Sequence, residues 1–586
     1  MTQATMKKFE TDVLVIGSGA GGLATAVAAA HRGLQVVVAE KEVVFGGTTA
    51  RSGGWMWLPN NPQARAAGLI DSPEAARQYL RHEAGAFYDA ERVDAFLDTV
   101  PEAMAFYEAK TELKFDLGPF FADYHPTAPG GMDGGRSLVA RPFDARALGD
   151  EVKRLRPPLA EITLLGMMIG SGRELLHFFN ATRSAVSAAY VGKLLVKYAR
   201  DMLFHGRPMR LTNGNALVGR LAKSAFDRNV AIWTAAPAVR LIRDEVGTVV
   251  GAEVHRADGP VQVIARRGVV LAAGGFPQDP KRRQSLLRHD ETGHDHVSPA
   301  PPGNTGDGLR MVEDLGIAID TSLPHPAAWV PISRPRMKGG ALGTFPHFVD
   351  RSKPGIIAVT RSGRRFVNEA QSYHDFCQAM YDRCLEECAE KGQAKPEFAA
   401  WFVTDHRAMR KYGLGFVKPA PVPFGKQIRD GYLLRGRSIA ELAEQIGCDP
   451  AALETTIREF NKDAVRGEDP AFGKGSTSYN RSLGDPAHKP NPCVAPIAKG
   501  PFYAVRLHIG DLGTFAGIRT NADAQVLDDG GMPVGGLYAV GNDALSIMGG
   551  NYPGGGITLG PAITFGYIAA RHLEKRNGHS DGTDTG

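Results

Sequence analysis

The segment from Thr11 to Glu40 constrains the fold more than any other part of this chain. It begins with an apolar run, Asp12 to Ile16, which is typical of a buried parallel strand. Alanine-rich helical sequence extends to about Arg32, and a second apolar run, Leu34 to Ala39, ends at Glu40. This order of elements predicts one compact β-α-β unit.

The turn between the first strand and the helix reads G-x-G-x-x-G, with glycines at 17, 19 and 22. Gly17 permits the tight turn, Gly19 lets the backbone approach a pyrophosphate, and Gly22 lets the helix pack closely on the strand. The helix start offers unpaired N–H groups to phosphates, and Glu40 falls where a carboxylate binds the ribose of an adenosine. The motif predicts a dinucleotide-binding domain, and by itself it does not distinguish NAD from FAD.

Length, charge and cysteine content exclude several classes of protein. With 586 residues the chain is too long for one ordinary core, so two or more domains are expected. The net charge of +5 is too small an excess to indicate a nucleic-acid partner. The five cysteines show no spacing that completes a metal site, and reduced cytoplasmic thiols are the preferred interpretation. No apolar signal core begins the chain, and no apolar run reaches the roughly 18 residues that span a bilayer.

Later segments rich in glycine and small polar residues indicate further contacts with the cofactor. Gly46 to Gly54 follows the β-α-β unit and favours a flavin lying along it. A buried strand ends at Ala273-Gly274-Gly275, and Asn304 to Gly308 begins a helix close to the phosphates or the flavin. A second glycine turn, Gly549 to Gly556, precedes a helix from about Leu559 and predicts another helix N-terminus that faces the cofactor.

The segment from Glu151 to Arg207 differs in character from its surroundings. From Arg173 to His205 it runs almost without helix breakers and carries a wide apolar stripe with an excess of basic residues. One interpretation is a helix packed on the body of the protein. The other is a lid-like interfacial helix that contacts anionic lipid, which would place a cytoplasmic protein peripherally on the inner face of the cell membrane.

Composition also divides the chain into domains. It shifts from about Asp320 towards proline, histidine and irregular sequence, and returns to its first character near residue 500. We therefore predict a nucleotide-binding domain in two parts, 1–315 and 503–576, with the helical insertion 151–207 in the first part. Residues 316–502 are predicted to form a second domain that caps the substrate, and the polar tail 577–586 is predicted to be disordered.

Four segments together resemble the flavoproteins of the fumarate reductase and succinate dehydrogenase superfamily: residues 11–40, 46–54, 363–369 and 535–570. Within it, Asp511 to Thr514 and Tyr552 to Gly556 are similar to the 3-ketosteroid Δ1-dehydrogenases. The resemblance covers nearly the whole chain except 151–207 and the tail. It implies an α/β Rossmann-like FAD-binding domain of the glutathione-reductase type, with an inserted α+β catalytic domain of the fumarate-reductase flavoprotein type.

Three departures from the family patterns sharpen this resemblance. Covalent members attach the flavin to a histidine, and none occurs in Gly46 to Gly54, so non-covalent FAD is expected. Dicarboxylate reductases carry an arginine where Ile547 stands here, and its loss removes the partner of a substrate carboxylate and favours an apolar ketone. Gly555 replaces a proline that the steroid enzymes usually have, which leaves the exact substrate open.

The resemblance also implies catalytic roles. The Tyr552 hydroxyl and the Gly556 N–H would hold the substrate's carbonyl oxygen, Tyr373 would take the proton from carbon 2 as tyrosinate, and Tyr124 would relay it. A tyrosine has a reference pKa of about 10, so Tyr373 needs nearby donors or positive charge to act as a base. The alternative for each tyrosine is simple packing in the core.

The cofactor-binding residues taken from the motifs and the resemblance lie in the segments described above and in one further strand. They are Gly17, Ser18, Gly19, Ala20, Gly22, Glu40, Lys41, Gly46, Gly47, Thr48, Thr49, Ser52, Gly53, Gly54, Ala238, Val239, Ala273, Gly274, Gly275, Asn304, Gly306, Asp307, Gly541, Asn542, Gly556, Ile557 and Leu559.

The implied activity is FAD-dependent dehydrogenation of a 3-ketosteroid between carbons 1 and 2. Its partners would be an apolar steroid ketone and an external electron acceptor such as a quinone. Three alternatives stay open: a fumarate- or urocanate-type reductase of an activated double bond, a 4-ene 3-ketosteroid dehydrogenase, and a membrane-associated flavin electron carrier.

Overall fold

The computed structural model describes residues 6–576, so the tail predicted to be disordered, 577–586, lies outside the described residues. The strands, in chain order, are β1 (Lys7–Ile16), β2 (Val36–Ala39), β3 (Trp55–Trp57), β4 (Phe115–Leu117), β5 (Ser137–Ala140), β6 (Phe143–Asp144), β7 (Arg210–Leu211), β8 (Ala231–Trp233), β9 (Ala238–Arg243), β10 (Val249–Arg256), β11 (Gly259–Leu271), β12 (Ala327–Ser333), β13 (Phe345–Pro346), β14 (Ile356–Thr360), β15 (Ala400–Asp405), β16 (Leu434–Gly436), β17 (Phe502–Thr514), β18 (Gln525–Leu527) and β19 (Pro533–Ala539).

The α-helices, in chain order, are α1 (Ala20–His31), α2 (Pro62–Ala66), α3 (Pro73–Ala84), α4 (Ala90–Lys110), α5 (Arg173–Asn180), α6 (Ala185–His205), α7 (Asn213–Phe226), α8 (Pro280–Leu286), α9 (Asp307–Glu313), α10 (Tyr373–Glu390), α11 (His406–Tyr412), α12 (Gly425–Arg429), α13 (Ile439–Ile446), α14 (Pro450–Ala464), α15 (Ser478–Ser482) and α16 (Leu559–Lys575). The fold is of the mixed α/β class.

The first sheet carries the predicted β-α-β unit. Its strand order is β18-β19-β11-β1-β2-β8, and β10 and β9 extend it from β11 as an antiparallel meander. Strand β1 pairs in parallel with both β2 and β11. Alternate residues of β1 enter two different cores, Val13 and Val15 on one face and Leu14 and Ile16 on the other, which explains its unbroken apolar run. The predicted β-α-β unit is confirmed.

Small residues let the first and last helices approach each other on this sheet. A Cβ atom added to Gly566 of α16 would lie only 2.9 Å from the backbone oxygen of Gly21 on α1. The first turns of α16 and α1 therefore lie close together, with the Ala562 oxygen 3.6 Å from a Cβ atom added to Gly21.

The second sheet is antiparallel and is built around β17. Its order is β13-β12-β17-β15-β14, and β16 also pairs with β17. Buried apolar residues form one core on each face of this sheet. Strand β17 pairs with β12, β15 and β16, and an isolated bridge also joins its Gly510 to Val297 of the first part of the chain. Its residues 503–514 therefore lie in the second sheet, although they follow the boundary predicted after residue 502.

The insertion is less continuous than its sequence predicts. It contains a 3₁₀ helix that ends at Arg154, an irregular stretch, and then α5 and α6. The single helix predicted from Arg173 to His205 is divided at residues 181–184, because the Ser184 hydroxyl accepts a hydrogen bond from the Ser187 N–H and starts α6 there. Across residues 6–576, no helix is both long and apolar enough to cross a membrane.

Candidate active site

A cavity of about 1320 Å³ extends from the glycine turn after β1 to the face of the second domain. Residues of the nucleotide-binding domain, the insertion and the second domain all line it. Ordinary small-molecule pockets reach about 1,000 Å³, so this cavity has room for more than one ligand.

Most of the residues predicted to bind the cofactor line this cavity. They are Gly17, Ser18, Gly19, Ala20, Glu40, Lys41, Gly47, Thr48, Thr49, Ser52, Gly53, Gly54, Ala238, Ala273, Gly274, Asn304, Asp307, Gly541, Asn542, Gly556 and Leu559. Hydrogen bonds join their segments. The Ala20 N–H donates to Thr49 Oγ1 at 3.0 Å, and Lys41 Nζ donates to Asp307 Oδ2 at 2.7 Å.

The remaining predicted residues lie behind the described cavity wall: Gly22, Gly46, Val239, Gly275, Gly306 and Ile557. Gly22 serves packing, because a Cβ atom there would lie 2.0 Å from the Gly17 oxygen. The Val239 side chain is 41% exposed, and only its neighbour Ala238 lines the cavity. A cofactor contact of Val239 stays a prediction.

The residues at the first glycine turn fit a dinucleotide. Gly17 has φ +106°, and a Cβ atom there would lie 2.2 Å from the Ala272 oxygen, so only glycine can make this turn. Helix α1 begins at the cavity, and its N-cap residue Gly19 has no side chain to cap it, so a phosphate can approach the N-terminus of the helix, where the Ala20 N–H is already bound to Thr49. Arg156 adds donors that the sequence did not predict, since its Nε and Nη2 atoms are buried at the cavity without a hydrogen-bond partner among the described residues.

Asp543 is a second residue that the sequence analysis missed. Its carboxylate accepts hydrogen bonds from the N–H groups of Ala273 at 2.6 Å and Gly275 at 2.8 Å, and so holds the loop after β11. Burial raises the pKa of this carboxyl to about 6, although the backbone donors oppose the shift. The sequence did contain a signal for Asp543, because it directly follows Gly541 and Asn542, which were predicted to bind the cofactor.

Three tyrosines from distant parts of the chain meet in the cavity wall. The Tyr124 hydroxyl donates to the Tyr373 hydroxyl at 3.1 Å. The Tyr552 ring lies 4.8 Å from that of Tyr373 and 5.5 Å from that of Tyr124, measured between centroids. The N–H of Gly556, whose residue also lines the cavity, donates to no other residue of the described chain. The structure thus brings together all four residues that the resemblance implied.

Backbone contacts and an ionic clamp hold the loop that carries Tyr124. The Tyr124 N–H donates to the Pro553 oxygen at 2.8 Å, directly beside Tyr552. The next residue, His125, contacts Glu83 at 2.8 Å and Asp375 of α10 at 2.6 Å. Burial alone would lower the pKa of His125, but the two carboxylates raise it to about 10. A cationic His125 therefore ties this loop to the start of α10, where Tyr373 lies.

Burial opposes ionisation of the tyrosine cluster. It raises the pKa of Tyr373 well above the usual value, and the neighbouring Tyr124 and Tyr552 add to the shift. Burial likewise raises the pKa of Tyr124 and of Tyr552. A tyrosinate in this cluster needs a stabilising positive charge.

Arg351 supplies a positive charge at this point. Its guanidinium carbon lies 5.7 Å from the centroid of the Tyr373 ring, and its Nη2 donates to the Tyr479 hydroxyl at 3.1 Å. Tyr479 in turn packs on Tyr124 with centroids 4.4 Å apart. Arg351 is fully buried, and no ion pair among the described residues includes it. Arg351 and Tyr479 occur in sequence that matches no motif, so the sequence analysis had no signal for either residue.

The fold and the cavity together define a flavin-binding protein. The family of FAD binding domains matches residues 12–559, and the chain belongs to this family. A 4-oxocyclohex-2-ene-1-carboxylate 5-dehydrogenase from Sinomonas cyclohexanicum is 43% identical, over 97% of this chain and 94% of that protein. A 3-oxosteroid 1-dehydrogenase from Mycobacterium tuberculosis is 37% identical, over 97% of this chain and 99% of the relative.

A solved structure adds to these relatives. The crystal structure of 3-ketosteroid delta1-dehydrogenase from Sterolibacterium denitrificans in complex with 1,4-androstadiene-3,17-dione has a TM-score of 0.87 and 36% identity. The match covers 96% of this chain and 99% of that one. The predicted resemblance is confirmed. The chain is a flavin oxidoreductase that acts on CH–CH bonds, and FAD is its cofactor.

Proposed function

We propose that this protein dehydrogenates a 3-ketosteroid and introduces a double bond between carbons 1 and 2. The observation that carries the proposal is the convergence of Tyr124, Tyr373 and Tyr552 on the cavity that also contains the predicted FAD-binding residues. The 3-oxosteroid 1-dehydrogenase from Mycobacterium tuberculosis, 37% identical, supports this choice of substrate and bond.

In this proposal Tyr552 and Gly556 bind the carbonyl oxygen. The Tyr552 hydroxyl and the Gly556 N–H donate to it as enolate charge develops, and both donors are held in a dry, largely apolar wall. Gly556 has φ +98°, and a Cβ atom there would lie 2.3 Å from the backbone of Trp55, so a larger residue would displace this N–H.

Tyr373 then accepts the proton from carbon 2, and Tyr124 passes it on through the hydrogen bond between the two hydroxyls. The charge of Arg351, 5.7 Å from the Tyr373 ring centroid, would favour the tyrosinate form, against burial and the two neighbouring tyrosines, which raise the pKa of Tyr373. When bound, FAD supplies the acceptor for the hydride that leaves carbon 1. An external acceptor, such as a quinone, would receive the electrons afterwards.

A small cyclic ketone is the second candidate substrate. The relative from Sinomonas cyclohexanicum, which is 43% identical, acts on 4-oxocyclohex-2-ene-1-carboxylate, where hydrogens are also removed beside a ring ketone. Reduction of fumarate fits this chain less well. Ile547, which stands where the dicarboxylate reductases carry an arginine, is buried and outside the described cavity wall.

The proposal predicts which compounds reduce the bound flavin. Under anaerobic conditions we expect androst-4-ene-3,17-dione to bleach the flavin absorbance at least as fast as the enzyme turns over in the steady state. The product should be androsta-1,4-diene-3,17-dione. Bleaching by 4-oxocyclohex-2-ene-1-carboxylate alone would assign the smaller ketone instead. Reoxidation of chemically reduced protein by fumarate would indicate a reductase, and a flavin inert to all three compounds would indicate an electron carrier.

We further propose that the insertion contacts a membrane through α6. Four apolar side chains of this helix, Val186, Val196, Leu203 and Phe204, are between 71% and 79% exposed. The buried residues of α6 are Ser187, Val191 and Asp201, so only one of its apolar residues is fully buried, fewer than the packed-helix interpretation requires. Leu175, Phe178 and Phe179 of the neighbouring helix α5 line the cavity, which supports a position of this surface close to it.

Binding to anionic lipid should depend on the basic residues of α6. We expect the protein to co-sediment with anionic liposomes at low salt and to dissociate at high salt, because screening weakens the attraction. Changing Lys193, Lys197 and Arg200 to Gln should weaken sedimentation, since each charge contributes about 1 kcal/mol near such a surface.

The matched control changes three basic residues that are 60% to 62% exposed in the second domain, Lys426, Arg458 and Lys462, to Gln. If both triple variants lose sedimentation equally, liposome binding depends on the net charge of the protein and not on the basic residues of α6 in particular. A wild-type protein that stays in the supernatant at low salt would contradict the membrane proposal.

A further inference from the structure

Two lysines of the second domain line the same cavity as the catalytic tyrosines: Lys353, which precedes β14, and Lys418, which follows α11. Their ammonium groups are packed against aromatic rings. Lys353 Nζ lies 5.1 Å from the ring centroid of Phe179, and Lys418 Nζ lies 5.6 Å from that of Phe345. Both charges therefore lie in a wall of low polarity.

Neither lysine takes part in an ion pair within the described chain. Lys353 Nζ donates to the backbone oxygens of Leu483 at 2.8 Å and Gly484 at 2.7 Å. Lys418 Nζ has one long contact, 3.5 Å to the Glu161 backbone oxygen. Burial lowers the pKa of each ammonium group to about 8, so each is still cationic at neutral pH.

The carboxylates near the two lysines, Asp350 in the wall and Asp485 and Glu161 behind it, are engaged with other partners. Asp350 Oδ2 contacts His347 Nδ1 at 2.7 Å and accepts from the Gly415 N–H at 2.8 Å. Asp485 pairs with Lys411 at 2.6 Å. Glu161 Oε1 accepts from the Thr344 N–H at 2.8 Å.

Positive side chains therefore exceed negative ones along this part of the cavity. On the side that the second domain forms, the described charged lining residues are two cations, Lys353 and Lys418, and one carboxylate, Asp350, which leaves an excess of one positive charge. Desolvated cations without a counter-ion are unfavourable, and an anionic ligand would relieve this cost.

We infer that the substrate of this cavity is a cyclic ketone that carries a carboxylate, and that Lys418, assisted by Lys353, binds the carboxylate. This inference rests on the proposed function, because the tyrosine cluster must receive the ketone of the same molecule. The carboxylate lies at the lysines and the ketone at Tyr552 and Gly556. A neutral ketone would fill the same space and leave both ammonium groups without a counter-ion.

The test compares each acid with its own methyl ester in the FAD-loaded protein. Two pairs are used: 3-oxoandrost-4-ene-17-carboxylate, and 4-oxocyclohex-2-ene-1-carboxylate, each with its ester. We expect the wild-type protein to favour the acid of at least one pair by about tenfold or more in both Kd and kcat/KM, as for a charge-assisted hydrogen bond. Kd is read from the change in flavin absorbance when the dehydrogenated product of each acid or ester binds.

Variants assign the preference to Lys418. Lys418→Gln should reduce the acid-to-ester ratio to near one, and Lys418→Arg should restore much of it. Lys426→Gln, which removes an exposed lysine paired with Asp430, should keep the wild-type ratio. A wild-type protein that does not distinguish acid from ester in either pair overturns the inference, as does an unchanged ratio in Lys418→Gln.

The binding measurement also separates this inference from the proposed function. If no compound is dehydrogenated but the acid analogues still bind more tightly than their esters, the dehydrogenase proposal fails and the carboxylate site stands. If acid and ester are dehydrogenated equally well, the carboxylate site fails and the dehydrogenase proposal stands.

Discussion

Replacing Tyr373 by Phe is expected to lower kcat by ~10²- to 10⁴-fold, the range that general base catalysis contributes. The change removes only the oxygen that would accept the proton, and the ring can keep its contacts with Tyr552 at 4.8 Å and with Phe348 at 5.6 Å. FAD content, measured from the absorbance of the purified protein, should stay unchanged. Turnover is measured with the ketone that bleaches the wild-type flavin.

Tyr381→Phe is the matched control for this variant. Tyr381 lies on the same helix, α10, two turns further along and outside the described cavity wall, where its ring stacks on Phe398 at 4.9 Å. It should turn over as the wild type does. If Tyr373→Phe keeps more than a tenth of wild-type kcat, another group takes the proton and Tyr373 only packs in the core.

Replacing Tyr552 by Phe is expected to lower kcat by ~10²- to 10³-fold, the usual effect of losing one oxyanion donor. The remaining donor, the Gly556 N–H, accounts for the residual rate. Because Tyr552 acts on charge that develops during the reaction, kcat should fall more than the affinity for substrate. Steady-state kinetics with FAD-replete protein separate the two effects.

Tyr538→Phe controls for the loss of a buried tyrosine hydroxyl. Tyr538 lies on β19, bonds His572 at 2.7 Å and is outside the described cavity wall. It should leave kcat unchanged. A Tyr552→Phe protein with near-normal kcat would assign the carbonyl oxygen to other donors.

The sequence predicted the cofactor half of the site well, because its chemistry is local. The turn at Gly17 and Gly19, the following helix and the acidic end at Glu40 all lie within one β-α-β unit, so spacing along the chain equals proximity in space. The loop from Gly46 to Gly54 and the turn before α16 could be assigned to the cofactor site for the same reason.

The substrate half was predicted only through resemblance to a family. Tyr124 is in a loop, Tyr373 begins α10, and Tyr552 lies in a glycine turn, and nothing in their spacing indicates that their rings meet. Arg351, Tyr479, Lys353 and Lys418 lie in loops or in helices of three to five residues, too short for a periodicity that would mark a buried side chain. Their burial and their missing counter-ions depend on long-range packing.

The domain boundaries likewise depend on long-range pairing that local sequence does not reveal. Composition placed the end of the second domain at residue 502, whereas β17 continues the second sheet to Thr514. An apolar strand has the same pattern in either sheet, and only its pairing with β12 and β15 shows which sheet it joins.

By itself the sequence determined the β-α-β unit, the glycine turns and the cofactor class, because short-range sterics and helix geometry dictate them. Only the tertiary structure decided which tyrosines meet, which cation lies beside them, and that α6 leaves its apolar residues exposed. Those features depend on tertiary packing, as in the contact of Tyr124 with Tyr373, 249 positions apart, and the local pattern of a chain carries no record of such packing.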